Sequence, residues 1–93
     1  MTYRIEIEPA ALRELGDLPA DVRRRITAAV DALADNPRPP TTQTLAGNLK
    51  GLRKLRVGPY RAVYDVNDDA HVVTIRGIGH RRSLYTRMAR RGR

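Results

Sequence analysis

Apolar and charged residues alternate through Tyr3-Arg4-Ile5-Glu6-Ile7-Glu8, the period-two pattern of a strand with one buried face. Pro9 closes that run and suits the first turn of a short helix over residues 9–15, for which Gly16 is the stop. Beyond it the period changes: Val22, Ile26, Val30 and Leu33 recur at helical spacing, with Pro19 before them and Asp21 in the first turn. This predicts an amphipathic helix of about four turns that ends before Asn36-Pro37. Residues 35–47 hold Pro37, Pro39, Pro40 and Gly47 and read as a surface loop. Three runs rich in Val, Ile, Tyr and Leu follow over residues 52–57, 60–67 and 71–79, separated by Gly58-Pro59 and by Asp68-Asp69. A last helix over residues 82–91 would carry Leu84 and Met88 on one side, before a loose basic tail, Arg90-Arg91-Gly92-Arg93. The expectation is one α+β domain over residues 1–93, ordered β-α-α-β-β-β-α. In it, helices pack on a mostly antiparallel four-stranded sheet.

The Gly58-Pro59 dipeptide fits a two-residue hairpin turn, because Gly tolerates positive φ at the first central position and Pro fixes the second. That turn opposes Val57 to Tyr60, Arg56 to Arg61 and Lys54 to Val63, so Lys54, Arg56 and Arg61 share a face. Leu55, Val57, Tyr60, Ala62, Tyr64 and Val66 form the other face, with Arg53 the exception among them. A turn at Asp68-Asp69 would oppose Asp65 to Val72 and Arg61 to Arg76, adding Arg76 to the cationic face. Like charges directly across a sheet cost a few tenths to about 1 kcal/mol each, so such a ladder points to a ligand rather than to stability.

Charge sharpens this picture. Residues 1–47 hold six Arg against seven Asp/Glu, while residues 48–93 hold twelve Lys/Arg against three Asp, so the C-terminal half carries the whole net charge of +8. A field this lopsided favours polyanions or an acidic partner. Sixteen of the eighteen basic residues are Arg, whose fork holds phosphate oxygens in pairs. There are no cysteines and two histidines, which leaves little to hold a metal; no metal and no cofactor are expected. No apolar run approaches the ~20 residues that span a bilayer, so the expectation is a cytoplasmic domain without a membrane partner.

Two segments carry a resemblance. Leu55-Arg56-Val57-Gly58-Pro59-Tyr60-Arg61-Ala62-Val63-Tyr64 and Gly79-His80-Arg81-Arg82-Ser83-Leu84-Tyr85 closely resemble the RelE/ParE superfamily of toxins from type II toxin–antitoxin systems. Their "YR-x-x-Y" strand, "HR" strand end and terminal Tyr recur here, as does the approach Leu45-Ala46-Gly47-Asn48-Leu49-Lys50-Gly51-Leu52-Arg53-Lys54-Leu55-Arg56. Resemblance to the RelE branch implies a metal-independent endoribonuclease that enters the ribosomal A site. There it cuts mRNA by attack of the RNA's own 2′-hydroxyl on the adjacent phosphate.

On that resemblance, Arg61 and Arg81 clamp the phosphate with help from Lys54. Tyr85 is the proton acceptor, Arg81 a donor to the leaving oxygen, and His80 a rival for the acid/base role. Lys50, Arg53, Arg56, Arg76 and Arg82 would contact RNA along its path. Positioned cations on the phosphate oxygens and a group that moves a proton are what phosphoryl transfer asks for. A phenol of ordinary pKa, near 10, needs cations around it to serve as a base at neutral pH. Two departures from the RelE pattern stand out: Leu52 where a second lysine is expected, and a shorter Arg81-to-Tyr85 segment. Both are compatible with the ParE branch, whose members bind DNA gyrase and cut no RNA. A third reading is a nucleic-acid-binding module that only neutralises phosphate. The toxin readings imply a cognate antitoxin in a hetero-oligomeric complex. It would be an acidic or amphipathic peptide over the basic face or against Leu12, Leu15 and the long helix.

Overall fold

A computed structural model describes residues 2–91; Gly92 and Arg93 of the expected tail lie outside that range, while Arg90 and Arg91 belong to the last helix. The elements in chain order are β1 (Arg4–Ile7), α1 (Pro9–Gly16), α2 (Ala20–Asp31), β2 (Thr42–Thr44), β3 (Arg53–Val57), β4 (Tyr60–Asn67), β5 (Val72–His80) and α3 (Arg81–Arg91), with single 3-10 turns at Ala32–Ala34 and Gly47–Leu49. They form one five-stranded sheet in the order β1-β5-β4-β3-β2, with β1 parallel to β5 and the other pairs antiparallel. Among the described residues, no helix is long and apolar enough to cross a membrane.

Both faces of the sheet are covered, unequally. On one, Ala11 and Leu15 of α1 and Ile26, Val30 and Leu33 of the α2 region bury against Leu55, Ala62, Tyr64, Val73, Ile75 and Ile78. Each of the Leu, Ile and Val side chains among them contributes about 1.5–3 kcal/mol through burial. The fully buried Tyr64 donates its hydroxyl to the Pro37 carbonyl at 2.8 Å and so ties the proline-rich segment to the core. On the other face α3 sets Leu84 and Met88 against Val63 and Leu49, a much smaller cluster. It leaves the β3–β4 end of that face open.

The sheet has one strand more than expected. The prolines stop at Pro40, and Thr42–Thr44 add a short edge strand to β3, with Thr42 opposite Leu55, Gln43 opposite Lys54 and Thr44 opposite Arg53. The buried Thr42 hydroxyl donates to the Pro39 carbonyl at 2.8 Å, which turns the chain into the strand. An edge position accepts such a segment because only one side of its backbone must pair.

The β3–β4 register is as the turn predicts, with Arg56 opposite Arg61 and Lys54 opposite Val63; Gly58 carries a φ of 60°. The β4–β5 register differs. Pairing runs to Asn67 opposite Val72, and the tip is closed by the Asn67 side chain accepting from the Ala70 N–H at 3.0 Å, with His71 in the left-handed region at φ 57°. A bulge then interrupts the ladder: Tyr64 faces Ile75 while Val63 faces Gly77, so Arg76 is the extra residue. Arg61 consequently faces Gly79 rather than Arg76, and the expected three-arginine ladder shrinks to Arg56 and Arg61.

Candidate functional site

The open end of the α3 face collects the cations. Lys54 and Arg56 project from β3 and Arg61 from β4. The β3–β4 turn fixes the Arg61 guanidinium, whose Nη1 donates to the carbonyls of Gly58 and Tyr60, each at 2.8 Å. Those two bonds use one nitrogen and leave the rest of the planar fork for a ligand. α3 meets the same turn, for the Arg81 N–H donates to the Pro59 carbonyl at 3.0 Å. Tyr85 follows one helical turn after Arg81 on the same side of α3. Its ring lies under Lys54, with Nζ 5.9 Å from the ring centroid, within reach of a cation–π attraction.

The Tyr85 hydroxyl is buried without a hydrogen-bond partner. Burial raises its pKa above the ordinary tyrosine value, while the Arg61 guanidinium beside it pulls the other way and does not win. In the unliganded protein this is a neutral phenol held next to an arginine. An unpaired buried hydroxyl costs about 1–3 kcal/mol, a strain that an entering hydrogen-bond acceptor would relieve.

Ion pairing sorts the basic residues only in part, since Arg13, Arg23, Arg24, Arg25, Lys50, Arg53 and Arg90 also form no salt bridge among the described residues. Arg4, Arg38, Arg76, Arg87 and Arg91 each reach a carboxylate. Among the described residues, Lys54, Arg56, Arg61, Arg81 and Arg82 form no salt bridge. The directly opposed pair Arg56 and Arg61 therefore repels without relief, which is the arrangement expected of an anion site rather than of a sheet optimised for stability.

The expected site residues thus divide. Lys54, Arg61 and Tyr85 come together, Arg56 adjoins them across the hairpin, and the backbone of Arg81 is tied to the same turn. Arg82 is exposed in the first turn of α3. Arg76 is already paired within the protein: it binds Asp65 through Nε and Nη2, and its Nη1 reaches Glu8 at 2.7 Å. The bulge turns Arg76 toward those acids. Arg53 lies on the opposite side of β3, where Nη2 donates to the Thr42 hydroxyl at 3.0 Å and Nε is buried without a partner. Lys50 lies beyond the Gly47–Leu49 turn, lining a different depression with Asn48, Leu52 and Arg76.

His80 is separated from this group by the sheet. It pairs across the strands with Tyr60, whose ring it meets edge-on at 5.9 Å, and it lines the α1 side with Arg13 and Asp17. Its Nδ1 accepts the Arg82 N–H at 3.3 Å, a cap on α3 that explains a histidine here without catalysis. Three contributors escaped sequence reading. Glu14 of α1 accepts from the Ile78 N–H at 3.0 Å and from Arg87 Nε at 3.0 Å, and it also reaches Arg91, so α3 is held in place from across the sheet edge. The other two, Thr41 and Gln43, lie at the new edge strand, hidden within a stretch whose prolines suggest only loop.

Comparison with known proteins agrees with the fold. The family model described as the ParE toxin of the type II toxin–antitoxin system parDE matches residues 5–85. The RelE1 toxin protein of Methanocaldococcus jannaschii is 30% identical over 88 residues, covering 91% of this chain and 97% of that protein. The RelBE2 toxin–antitoxin complex of Mycobacterium tuberculosis contains a chain that superposes with a TM-score of 0.79 at 26% identity, over 87% of this chain and 100% of that one. For the archaeal RelE–RelB complex of Pyrococcus horikoshii OT3 the values are 0.76 and 32%, over 88% and 98%.

Proposed function

Since the chain belongs to the RelE/ParE superfamily of type II toxin–antitoxin toxins, we propose that it acts as the RNA-cutting kind, a ribosome-dependent mRNA endonuclease restrained by a cognate antitoxin. The observation that carries this reading is the meeting of Tyr85 with Arg61 and Lys54: a buried, unpaired phenol beside two cations that no carboxylate neutralises among the described residues. A surface that only bound phosphate would gain nothing from such a hydroxyl.

In this reading the 2′-oxygen of the RNA bonds to the adjacent phosphorus as the P–O5′ bond breaks, yielding a 2′,3′-cyclic phosphate and a 5′-hydroxyl. Arg61 and Lys54 hold the non-bridging oxygens, where negative charge accumulates in the transition state. Arg81, whose backbone is tied to the same turn, would donate a hydrogen bond to the leaving 5′-oxygen. Tyr85, kept neutral by burial, takes the proton from the 2′-hydroxyl while passing its own to a phosphate oxygen, from which it moves to the departing 5′-oxygen to complete the 5′-hydroxyl. No free phenolate is then needed.

The two relatives solved with antitoxin support a RelB-like protein partner for this chain. The ParE family match favours the second reading, a gyrase inhibitor that acts by binding alone. Expression of the toxin in growing cells with mapping of mRNA 5′ ends separates the two. The nuclease reading expects translation-dependent cuts within minutes, reduced at least 100-fold by Arg61→Ala, on the scale of losing one transition-state donor. Intact messages with loss of DNA supercoiling would replace it with the gyrase reading.

A further inference from the structure

Beside the phosphate-binding group lies a cleft of about 510 Å³, walled by Pro40, Thr41 and Gln43 on one side and by Lys54, Arg56, Gly58 and Arg61 on the other. Its size falls within the ~300–1,000 Å³ of small-molecule sites, which accommodates one nucleoside. The chemistry of its walls is divided. Lysine and arginine donate hydrogen bonds and accept none, so the β3–β4 wall suits phosphate or an edge that only accepts, and cannot pair with an edge that mixes donor and acceptor. The β2 wall is neutral. Gln43 carries two donors and a carbonyl acceptor on one planar group, and Thr41 adds a hydroxyl that does both.

Strand geometry aims these groups at the cleft. Gln43 is the cross-strand partner of Lys54, and directly opposed residues project to the same face. Thr42 alternates inward and is buried, where its contacts to Pro39 and Arg53 hold the strand in register. Lys54 therefore stands between the Tyr85 ring and Gln43. A phosphate held by Lys54 and Arg61 would have Tyr85 on one side and the Gln43 cleft on the other.

The geometry points to a base-reading subsite: the cleft receives the nucleobase flanking the clamped phosphate, and the Gln43 carboxamide selects it. This rests on the nuclease reading above. On the Hoogsteen edge a planar carboxamide pairs twice with adenine alone, whose N6–H donor adjoins the N7 acceptor, whereas guanine's neighbouring O6 and N7 both accept and match an arginine. One good bidentate pair discriminates by about 1–3 kcal/mol, which corresponds to a preference of roughly 5- to 150-fold.

The test is a profile of bases around the mapped cuts for the wild-type toxin, Gln43→Ala and Gln43→Arg. Wild type should show adenine enriched at one fixed distance from the cut. Gln43→Ala should flatten that preference at least fivefold, the loss falling on adenine sites and not on sites with other bases. Gln43→Arg should shift the enrichment toward guanine at the same position. An unchanged base profile in both variants, with cutting intact, overturns the subsite and leaves the nuclease reading standing. A wild-type toxin that makes no cuts overturns both.

Discussion

Tyr85 places two demands in opposition, since the position that serves chemistry does not serve stability. Its hydroxyl has no partner in the folded chain, so Tyr85→Phe should leave stability unchanged or raise it by up to about 1 kcal/mol in urea unfolding. The same substitution should lower the cleavage rate by about 10²–10⁴, the usual scale of a positioned proton-transfer group. A purely structural tyrosine would give the reverse pattern, stability lost and rate kept. The direction of its pKa adds a pH signature. Because the folded-state value is raised, the neutral hydroxyl adds no pH dependence below pH ~10, and above it ionisation of the unfolded chain removes stability until the pH passes the folded value. Thermal unfolding above pH ~10 should therefore fall less steeply for Tyr85→Phe than for wild type.

At the scale of elements, the last strand and last helix fit through glycines. A Cβ built on Gly77 would collide with the Met88 sulfur, press on Arg91 Nη2 at 2.9 Å and meet Leu84 Cδ1 at 3.2 Å. Gly77→Ala should thus destabilise by about 1–3 kcal/mol, as overpacking does. At Gly79 the obstacle is the tip of Arg87 alone, a flexible end that can swing aside, so Gly79→Ala should cost clearly less in the same denaturation assay.

The hairpin turn, the long amphipathic helix and the alternating first strand were all legible in the sequence, because each is set by residues adjacent along the chain. The bulge was not read: Val73, Ile75 and Ile78 all point into the helical core, which no unbroken period of two allows, and the expected register ran straight through. Strand β2 was not legible. Three polar residues after a proline cluster carry no period, and only the exposed edge of β3 makes them a strand. Its absence from the sequence reading also hid Gln43. The placement of Lys54 and Arg61 on one face followed from the turn, whereas the neutralisation of Arg76 depends on Glu8, distant in sequence and brought near by the parallel pairing of β1 with β5.

For the whole molecule, charge is sorted by partner rather than by composition alone. Arginines that meet Glu6, Glu8, Glu14, Asp65 or Asp68 are paired within the fold, while those around the β3–β4 turn, like Arg13, Arg24 and Arg25, meet no carboxylate among the described residues. Salt titration of binding to a single-stranded RNA distinguishes the two sets. Arg56→Ala should reduce the slope of log K against log salt by about 0.7, the share of one released counterion. Arg76→Ala should leave that slope unchanged and instead lower stability, since it strips Asp65 and Glu8 of their shared cation. Equal slopes for both variants would erase the distinction.

The added residue at Arg76 also works as a phase setter for everything downstream. It advances the strand by half a pleat, so that the two glycines lie beneath the last helix and Ile78 turns to the opposite layer. Draw that residue into the ladder in regular register and every position after it changes face. A branched side chain would then occupy the bed on which Leu84 and Met88 rest, and the helix bearing Tyr85 would have nowhere to lie.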